Sequence, residues 1–226
     1  MATVVVAGDD LACEVAARAL GAAGVARLIL LRRGGALLPE VIAAIYESNP
    51  AVRIDTRPWP AAFTVTTEPT QTPGQELGAA WVAAIAGAAV LVRCGFDDDP
   101  MLRAAVRLGL PVVVMRARED GVDVLSFRCH GPCPHAPLNV PENHVAAAGG
   151  GAAAVVAGHL AAAEAVVLLA GAATGEGRAR HLRIPLGKAT EGPPADAGET
   201  LPRAVDLPWA PECFACGGRG MEMSLS

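Results

Sequence analysis

The chain has 226 residues, of which 52% are hydrophobic, so it is long and apolar enough to bury the core of one large domain. Its net charge of −5 argues against a nucleic-acid partner, because phosphate binding requires a surplus of lysine and arginine. The sequence contains no basic amphipathic stretch that would bind a membrane surface. Residues 1–6 lack the charged region of a secretion signal. We therefore expect a protein of the reducing cytoplasm.

The predicted elements alternate between strand and helix along the chain. Short β-branched runs predict buried strands, whereas longer periodic runs, begun by proline or ended by glycine, predict helices. The predicted strands span residues 3–7, 28–31, 52–55, 89–93 and 111–115, and the predicted helices span 11–23, 39–47, 76–86, 100–108 and 152–169. This alternation predicts an α/β fold with a doubly wound, mostly parallel, Rossmann-like sheet that carries helices on both faces. We expect one domain over residues 1–226, with a loop-rich, irregular stretch at 172–208 and a tail at 209–218.

The turn after the first predicted strand is the usual phosphate site of such sheets, and here it contains Gly8, Asp9 and Asp10. A nucleotide loop requires several glycines so that backbone N–H groups approach the phosphates, and this turn keeps Gly8 alone. Two unit charges about 4 Å apart repel by roughly 4 kcal/mol at an effective dielectric of about 20, so the aspartates oppose a polyphosphate. The alternative role, which the pattern favours, is stabilisation of the helix N-terminus by about 0.3–1 kcal/mol each. The turn therefore predicts a lost phosphate site, and we do not expect ATP or magnesium to bind.

Two groups of cysteine and histidine residues stand far apart in the sequence. Cys213 and Cys216 form a Cys-x-x-Cys turn, which supplies two of the four thiolate or imidazole ligands that zinc takes in a tetrahedron. The other two ligands would come from the earlier group, in which Cys133 is central, Cys129 is the preferred fourth ligand and His135 is its substitute. A reducing compartment favours metal over disulfides for these thiols. We therefore predict a structural zinc site that ties the C-terminal tail to the body of the domain.

The predicted helix at 152–169 consists almost wholly of alanine, glycine, valine and leucine. It is long enough to cross a bilayer, but His159 and Glu164 lie within it and the glycines before it are poor helix formers. We therefore predict a buried helix and no membrane span, and we expect Glu164 to pair with an arginine such as Arg103. Small side chains let another helix approach closely, so this helix is also the expected contact of a homodimer or heterodimer.

Five segments give the sequence a resemblance to a known family. They are residues 4–31, Asn49-Pro50-Ala51-Val52, residues 88–103, residues 158–171 and Cys213-Phe214-Ala215-Cys216-Gly217. In this order they resemble the ThiF/MoeB-type adenylyltransferases, the relatives of ubiquitin-activating enzymes. The resemblance is specific in the first helix and in the closing Cys-x-x-Cys-Gly, and it implies a ThiF-type fold with a zinc-bound tail.

The residues by which that family handles ATP are largely replaced in this chain. The acidic residue expected at the end of the second strand, which holds the ATP ribose, is replaced by Leu31-Arg32-Arg33. No Asn-x-x-Arg segment or following lysine for the triphosphate lies between Arg33 and Asn49. The resemblance leaves Asp97 or Asp98 at the position of the magnesium-associated aspartate, with Arg103 downstream. An aspartate run before a proline is also a good helix start, however. Only fragments of the family's ATP chemistry are therefore expected.

The resemblance implies a degenerate, non-catalytic zinc protein that binds a partner protein or peptide in a peptide-modification or sulfur-carrier/ubiquitin-like pathway. Adenylation requires positioned phosphates, magnesium and cationic stabilisation of pyrophosphate, and the chain has few groups that would supply them. One alternative is an active adenylyltransferase or thiol-dependent enzyme acting on a protein or peptide C-terminus. Its catalytic candidates are Cys129, Asp97, Asp98 and Arg103, with Cys13 at the start of the first helix as a further thiol. A dinucleotide-dependent oxidoreductase has the right fold class but requires glycines that are absent.

Overall fold

The computed structural model describes residues 2–34, 39–60, 73–95, 100–128, 150–171, 179–186 and 203–207. The strands in these ranges are β1 (Thr3–Ala7), β2 (Arg27–Arg32), β3 (Arg53–Pro58), β4 (Val90–Cys94), β5 (Val112–Ala117), β6 (Gly121–Phe127), β7 (Ala179–Pro185) and β8 (Arg203–Leu207). The helices are α1 (Leu11–Ala22), α2 (Pro39–Ser48), α3 (Pro73–Ile85), α4 (Pro100–Arg107) and α5 (Gly151–Leu169).

The described strands form one sheet in the order β3-β2-β1-β4-β5-β6-β7-β8. β1 pairs in parallel with β2 and β4, and the parallel pairing continues to β3 on one side and β5 on the other. β6, β7 and β8 extend the sheet in antiparallel pairing. The predicted α/β fold with a mostly parallel, Rossmann-like sheet is confirmed, and the strand order reverses between β1 and β4.

Helices cover both faces of the central parallel strands, which explains why β1, β2, β4 and β5 are mainly apolar, whereas β3 at the edge of the sheet is polar and more exposed. On one face, Val4 and Leu28 pack with residues of α1, α2 and α5. On the other face, Val5 and Ile29 pack with residues of α3 and α4. Successive side chains of one strand therefore enter two separate cores.

Helix α5 packs closely against α1. A Cβ atom on Gly158 would lie 2.5 Å from the carbonyl oxygen of Ala12 and 2.7 Å from the Cβ atom of Val15, so glycine is what permits this approach. By length and composition α5 is the one helix of the described residues that could cross a membrane, yet half of its most apolar window is buried in the fold. The small residues of α5 thus allow it to pack closely in the core of this chain.

Three strands were not predicted. The sequence pattern gives no prediction for β6, and β7 and β8 lie within 172–208, where an irregular stretch was expected. β6 follows β5 in antiparallel pairing without an intervening helix, so the alternation of strand and helix gave no signal for it. In β7 the order Leu182, Arg183, Ile184 alternates apolar and charged side chains, which is typical of a strand with one wetter face. The irregular stretch is therefore corrected, while the tail at 209–218 lies outside the described residues.

Candidate functional site

Open α/β sheets bind ligands beyond the carboxyl ends of their strands, where the strand order reverses. Here that place lies above β1, between β2 and β4. Ala7, the last residue of β1, is level with Leu31 of β2 and Arg93 of β4, so the following residues Gly8, Arg32 and Cys94 lie side by side. We call this region, formed by residues 8–13, 32–33 and 94, the switch-point crevice.

Gly8 lies at the bend between β1 and α1 with φ = 144°, a conformation that favours glycine. Its N–H donates to the carbonyl oxygen of Leu31 at 3.1 Å, so this amide is engaged by β2. A Cβ atom on Gly8 would lie 2.6 Å from Sγ of Cys13 and 3.5 Å from Cβ of Cys94. The thiol of Cys13 therefore fills the space that the missing side chain of Gly8 leaves open.

The negative charge of Asp9 is compensated by groups at the end of β2. Both of its carboxylate oxygens accept the backbone N–H of Arg33, at 3.1 and 2.9 Å, and Oδ1 lies 3.2 Å from Nε of Arg32. The contact with Nε is an ion pair that lacks the alignment of a hydrogen bond. Nη1 of Arg32 also lies 3.4 Å from Oε1 of Glu14, and only 9% of the Arg32 side chain is exposed. The chain therefore supplies the counter-ion of Asp9 from a neighbouring strand.

The second arginine at the end of β2 is engaged as well. The Cζ atom of Arg33 lies 4.8 Å from the centre of the Trp59 ring, a cation–π contact. Trp59 meets Trp81 edge to face, with 5.1 Å between the ring centres. Both arginines that replace the expected acidic residue are thus held by side chains of the same chain.

Asp10 is the N-cap of α1. Its backbone is extended, with φ −91° and ψ 167°, and Oδ1 accepts the backbone N–H of Cys13 at 2.8 Å. Such a cap stabilises a helix by about 1 kcal/mol. Asp10 therefore has the helix-stabilising role that the sequence pattern favours.

Two thiols lie beside the bend. Cys13 is 3% exposed and its Sγ donates to the carbonyl oxygen of Ala7 at 3.3 Å, whereas Cys94 is half-buried. The contact with the Cys94 side chain raises the pKa of the Cys13 thiol well above its ordinary value, and burial and the charge of Asp10 raise it further. A protonated thiol is a poor nucleophile, so the position at a helix N-terminus does not make Cys13 an activated cysteine.

A second polar cluster lies on β6 and β7, and the sequence analysis missed it. Asp123 is buried, with Oδ2 2.9 Å from Nη2 of Arg118 and Oδ1 3.1 Å from Nε2 of His181. Burial alone would raise the pKa of Asp123, but the hydrogen bond with His181 and the charge of Arg118 outweigh it, so the pKa lies below the ordinary 3.8. Alternation of Asp123 with Val122 and Val124 is the signal that could have located this cluster.

Buried Glu164 of α5 is paired with the antiparallel part of the sheet. Its Oε1 lies 3.0 Å from Nη1 of Arg180 on β7, and its Oε2 accepts the hydroxyl of Ser126 on β6 at 2.8 Å. An arginine partner was expected, with Arg103 as the example. The structure supplies Arg180, from a strand that the sequence analysis did not predict.

Most of the predicted metal and catalytic residues lie outside the described residues, namely Asp97, Asp98, Cys129, Cys133, His135, Cys213 and Cys216. Arg103 lies in α4. Across the part of the chain that the structure describes, no group of three or more His, Cys, Asp or Glu side chains is placed to hold a metal ion. The zinc site and the magnesium-associated aspartate stay predictions.

Comparison with known proteins gives structural matches only, since neither a family model nor a curated protein matches the sequence. The selenomethionine form of PaaA matches with a TM-score of 0.63 at 10% identity, over 91% of this chain and 64% of that chain. E. coli MccB with succinimide matches with a TM-score of 0.64 at 13% identity, over 96% of this chain and 67% of that chain. E. coli MccB with ATP gives a TM-score of 0.61 at 13% identity, over 96% and 66%.

These likenesses show the fold. The chain shares its fold with PaaA and E. coli MccB, which agrees with the fold that the sequence resemblance implies. It spans about two thirds of the length of these solved structures.

Proposed function

We propose that this chain is a zinc-containing protein of the ThiF-like fold that binds a partner protein or peptide and does not adenylate it without help from another chain. One observation carries the proposal: the switch-point crevice is filled by the chain's own groups, with the thiol of Cys13 over Gly8 and Arg32 paired with Asp9. A nucleotide bound there would displace the thiol and separate buried Arg32 from exposed Asp9.

The energetic penalty of that displacement is large enough to matter. Leaving a buried charge without its partner costs about 3–5 kcal/mol, and we take the lower end because Arg32 would keep its contact with Glu14. Each 1.4 kcal/mol changes affinity about tenfold, so a loss of about 3 kcal/mol weakens binding roughly 100-fold. A site of about micromolar affinity would become one of about 100 μM.

The outer side of α5 supports a protein contact. Its exposed stripe includes Val155, His159, Ala163 and Val166, and Val155 and Val166 are 39% and 36% exposed. A helix that is apolar on all sides is normally covered on all sides, and this stripe is left exposed by the residues that the structure describes. An open groove of about 340 Å³ beside it runs between α1, α2 and α5 and has Val155 and His159 in its lining. We assign the contact of a homodimer or heterodimer to this surface.

The pathway is inferred from the fold and from the sequence resemblance. Similarity in fold to MccB and resemblance to ThiF/MoeB-type sequences support a role in peptide modification or in a sulfur-carrier or ubiquitin-like pathway. In this role the chain keeps the scaffold and the zinc-bound tail, with Cys129, Cys133, Cys213 and Cys216 as ligands. The ATP chemistry belongs to a partner.

An active adenylyltransferase is the second candidate, and one observation favours it: E. coli MccB, which has this fold, was crystallised with ATP. In that case Asp97 or Asp98 would hold magnesium, Arg103 would stabilise the leaving group and Cys129 would be a candidate nucleophile. The two candidates differ in whether the chain binds nucleotide.

Calorimetric titration of the zinc-loaded chain with ATP and magnesium separates these candidates. The proposal predicts a dissociation constant weaker than about 100 μM. Micromolar binding that is lost in the Asp98→Ala variant would establish the second candidate instead. A matched Asp120→Ala variant, which changes an exposed carboxylate far from the switch-point crevice in sequence, controls for the loss of one charge.

A further inference from the structure

Two cysteines from distant parts of the sequence meet at the switch-point crevice. Cys13 lies in the first turn of α1, Cys94 ends β4, and both pack into the core between the sheet and α1. A Cβ atom built on Gly8 would lie 3.5 Å from Cβ of Cys94 and 3.7 Å from Cβ of Cys13. Both cysteine Cβ atoms thus adjoin one point, and a disulfide between them requires a separation of roughly 3.5–4.5 Å.

The two side chains are free thiols that interact with each other. Neither forms a disulfide, and the hydrogen-bonding contact with Cys94 is the largest cause of the raised pKa of Cys13. In the described part of the chain no third His, Cys, Asp or Glu side chain joins them to complete a metal site. The nearby carboxylate of Asp10 is already committed to the helix cap. Thiol–disulfide exchange is therefore the chemistry that this pair supports best.

We propose that Cys13 and Cys94 form a reversible dithiol site, which a low-molecular-weight disulfide such as oxidised glutathione converts into a disulfide across the switch-point crevice. The thiolate of half-buried Cys94 attacks one sulfur of the small disulfide, displaces one thiolate and forms a mixed disulfide. Cys13 gives its proton to water and attacks Sγ of Cys94, which displaces the second small thiolate. The protein loses two electrons, and the small disulfide is reduced to two thiols.

The different burial of the two thiols assigns their roles. Cys94 is accessible enough to meet an oxidant, whereas Cys13 is 3% exposed and reaches only its neighbour. Because Cys13 is protonated at neutral pH, the second step should accelerate as the pH rises from about 7 to about 9.

The cross-link would fix the start of α1 to the end of β4 and close the crevice beside Gly8. It thereby gives the crevice a second, oxidised state.

Peptide mapping of the full, zinc-loaded chain tests this proposal. The protein is equilibrated in buffers of reduced and oxidised glutathione, alkylated and digested with trypsin. We expect a disulfide-linked pair of the peptides 1–18 and 94–103, which contain Cys13 and Cys94, to increase with the oxidised fraction. Closing so long a loop should also raise Tm by about 10 °C.

The controls are the Cys13→Ser and Cys94→Ser variants. Each should lose the linked peptide pair and the oxidant-dependent increase in Tm, and Cys94→Ser suffices if the hydroxyl at the buried position prevents folding. The proposal is overturned if both peptides are recovered singly alkylated at every glutathione ratio. It is equally overturned if Cys94 links only to cysteines other than Cys13, or if the linked pair forms only after the chain is unfolded.

Discussion

Replacing Gly158 by alanine should loosen the contact between α5 and α1. The new Cβ atom would lie 2.5 Å from the carbonyl oxygen of Ala12 and 2.7 Å from Cβ of Val15. Overpacking of this kind costs about 1–3 kcal/mol, and the upper half applies because the nearest atom belongs to a backbone. Alanine returns about 0.8–1 kcal/mol of helix propensity. The net loss is therefore about 1–2 kcal/mol, which lowers Tm by roughly 3–6 °C in a chain of this size.

The same helix offers a matched control. At Gly151 the nearest atom to an added Cβ is Cδ2 of Leu11, at 3.9 Å, so Gly151→Ala makes the same chemical change with only an ordinary van der Waals contact. We expect this variant to be unchanged or more stable by up to about 1 kcal/mol. Urea unfolding followed by circular dichroism measures both variants. If Gly158→Ala proves at least as stable as Gly151→Ala, then α5 does not dock on α1 as described, and the position of the bend at residues 8–13 loses its support.

Three further predictions concern the polar cluster, the metal and the partner surface. The lowered pKa of Asp123 means that its carboxylate contributes stability above about pH 4, and that this contribution is lost as the pH falls through the lowered value. Asp123→Asn should therefore lower Tm at neutral pH, and its Tm should fall less than that of the wild type as the pH is lowered. An equal fall of Tm in acid would contradict the pairing of Asp123 with His181 and Arg118. Cys213→Ser should remove one zinc per chain by elemental analysis and lower Tm, and a wild-type chain without zinc would refute the metal site. Val155→Asp, at a 39% exposed position, should weaken association in light scattering without lowering Tm, and undiminished association would move the contact elsewhere.

Most of the parallel part of the sheet could be predicted because β1, β2, β4 and β5 contain continuous apolar runs. In Thr3–Ala7 both faces are buried, so the run of valines is enough to indicate a strand and the next helix follows at once. β6 and β7 have short alternating patterns that include Asp123, His181 and Arg183, and without the strand pairing these charged residues resemble a loop. Local pattern therefore predicted the strands that alternate with helices and missed the strands of the antiparallel extension.

The candidate site depends on strand register, which the sequence does not show. The types of residue at the bend were enough to predict a poor phosphate site. The pairing of Ala7 with both Leu31 and Arg93 is what brings Arg32 to Asp9 and Cys94 to Cys13. A charge and its counter-ion, or two thiols, become neighbours only once β1, β2 and β4 are aligned.

The central claim is that the switch-point crevice is occupied by side chains of the same chain. The most direct test is a crystal structure of the zinc-loaded protein grown with excess ATP and magnesium. We predict that Sγ of Cys13 will still cover Gly8, that Arg32 will still contact Asp9, and that the crevice will contain no nucleotide. Adenosine and magnesium bound against residues 8–13, with the Arg32–Asp9 pair separated, would contradict the account.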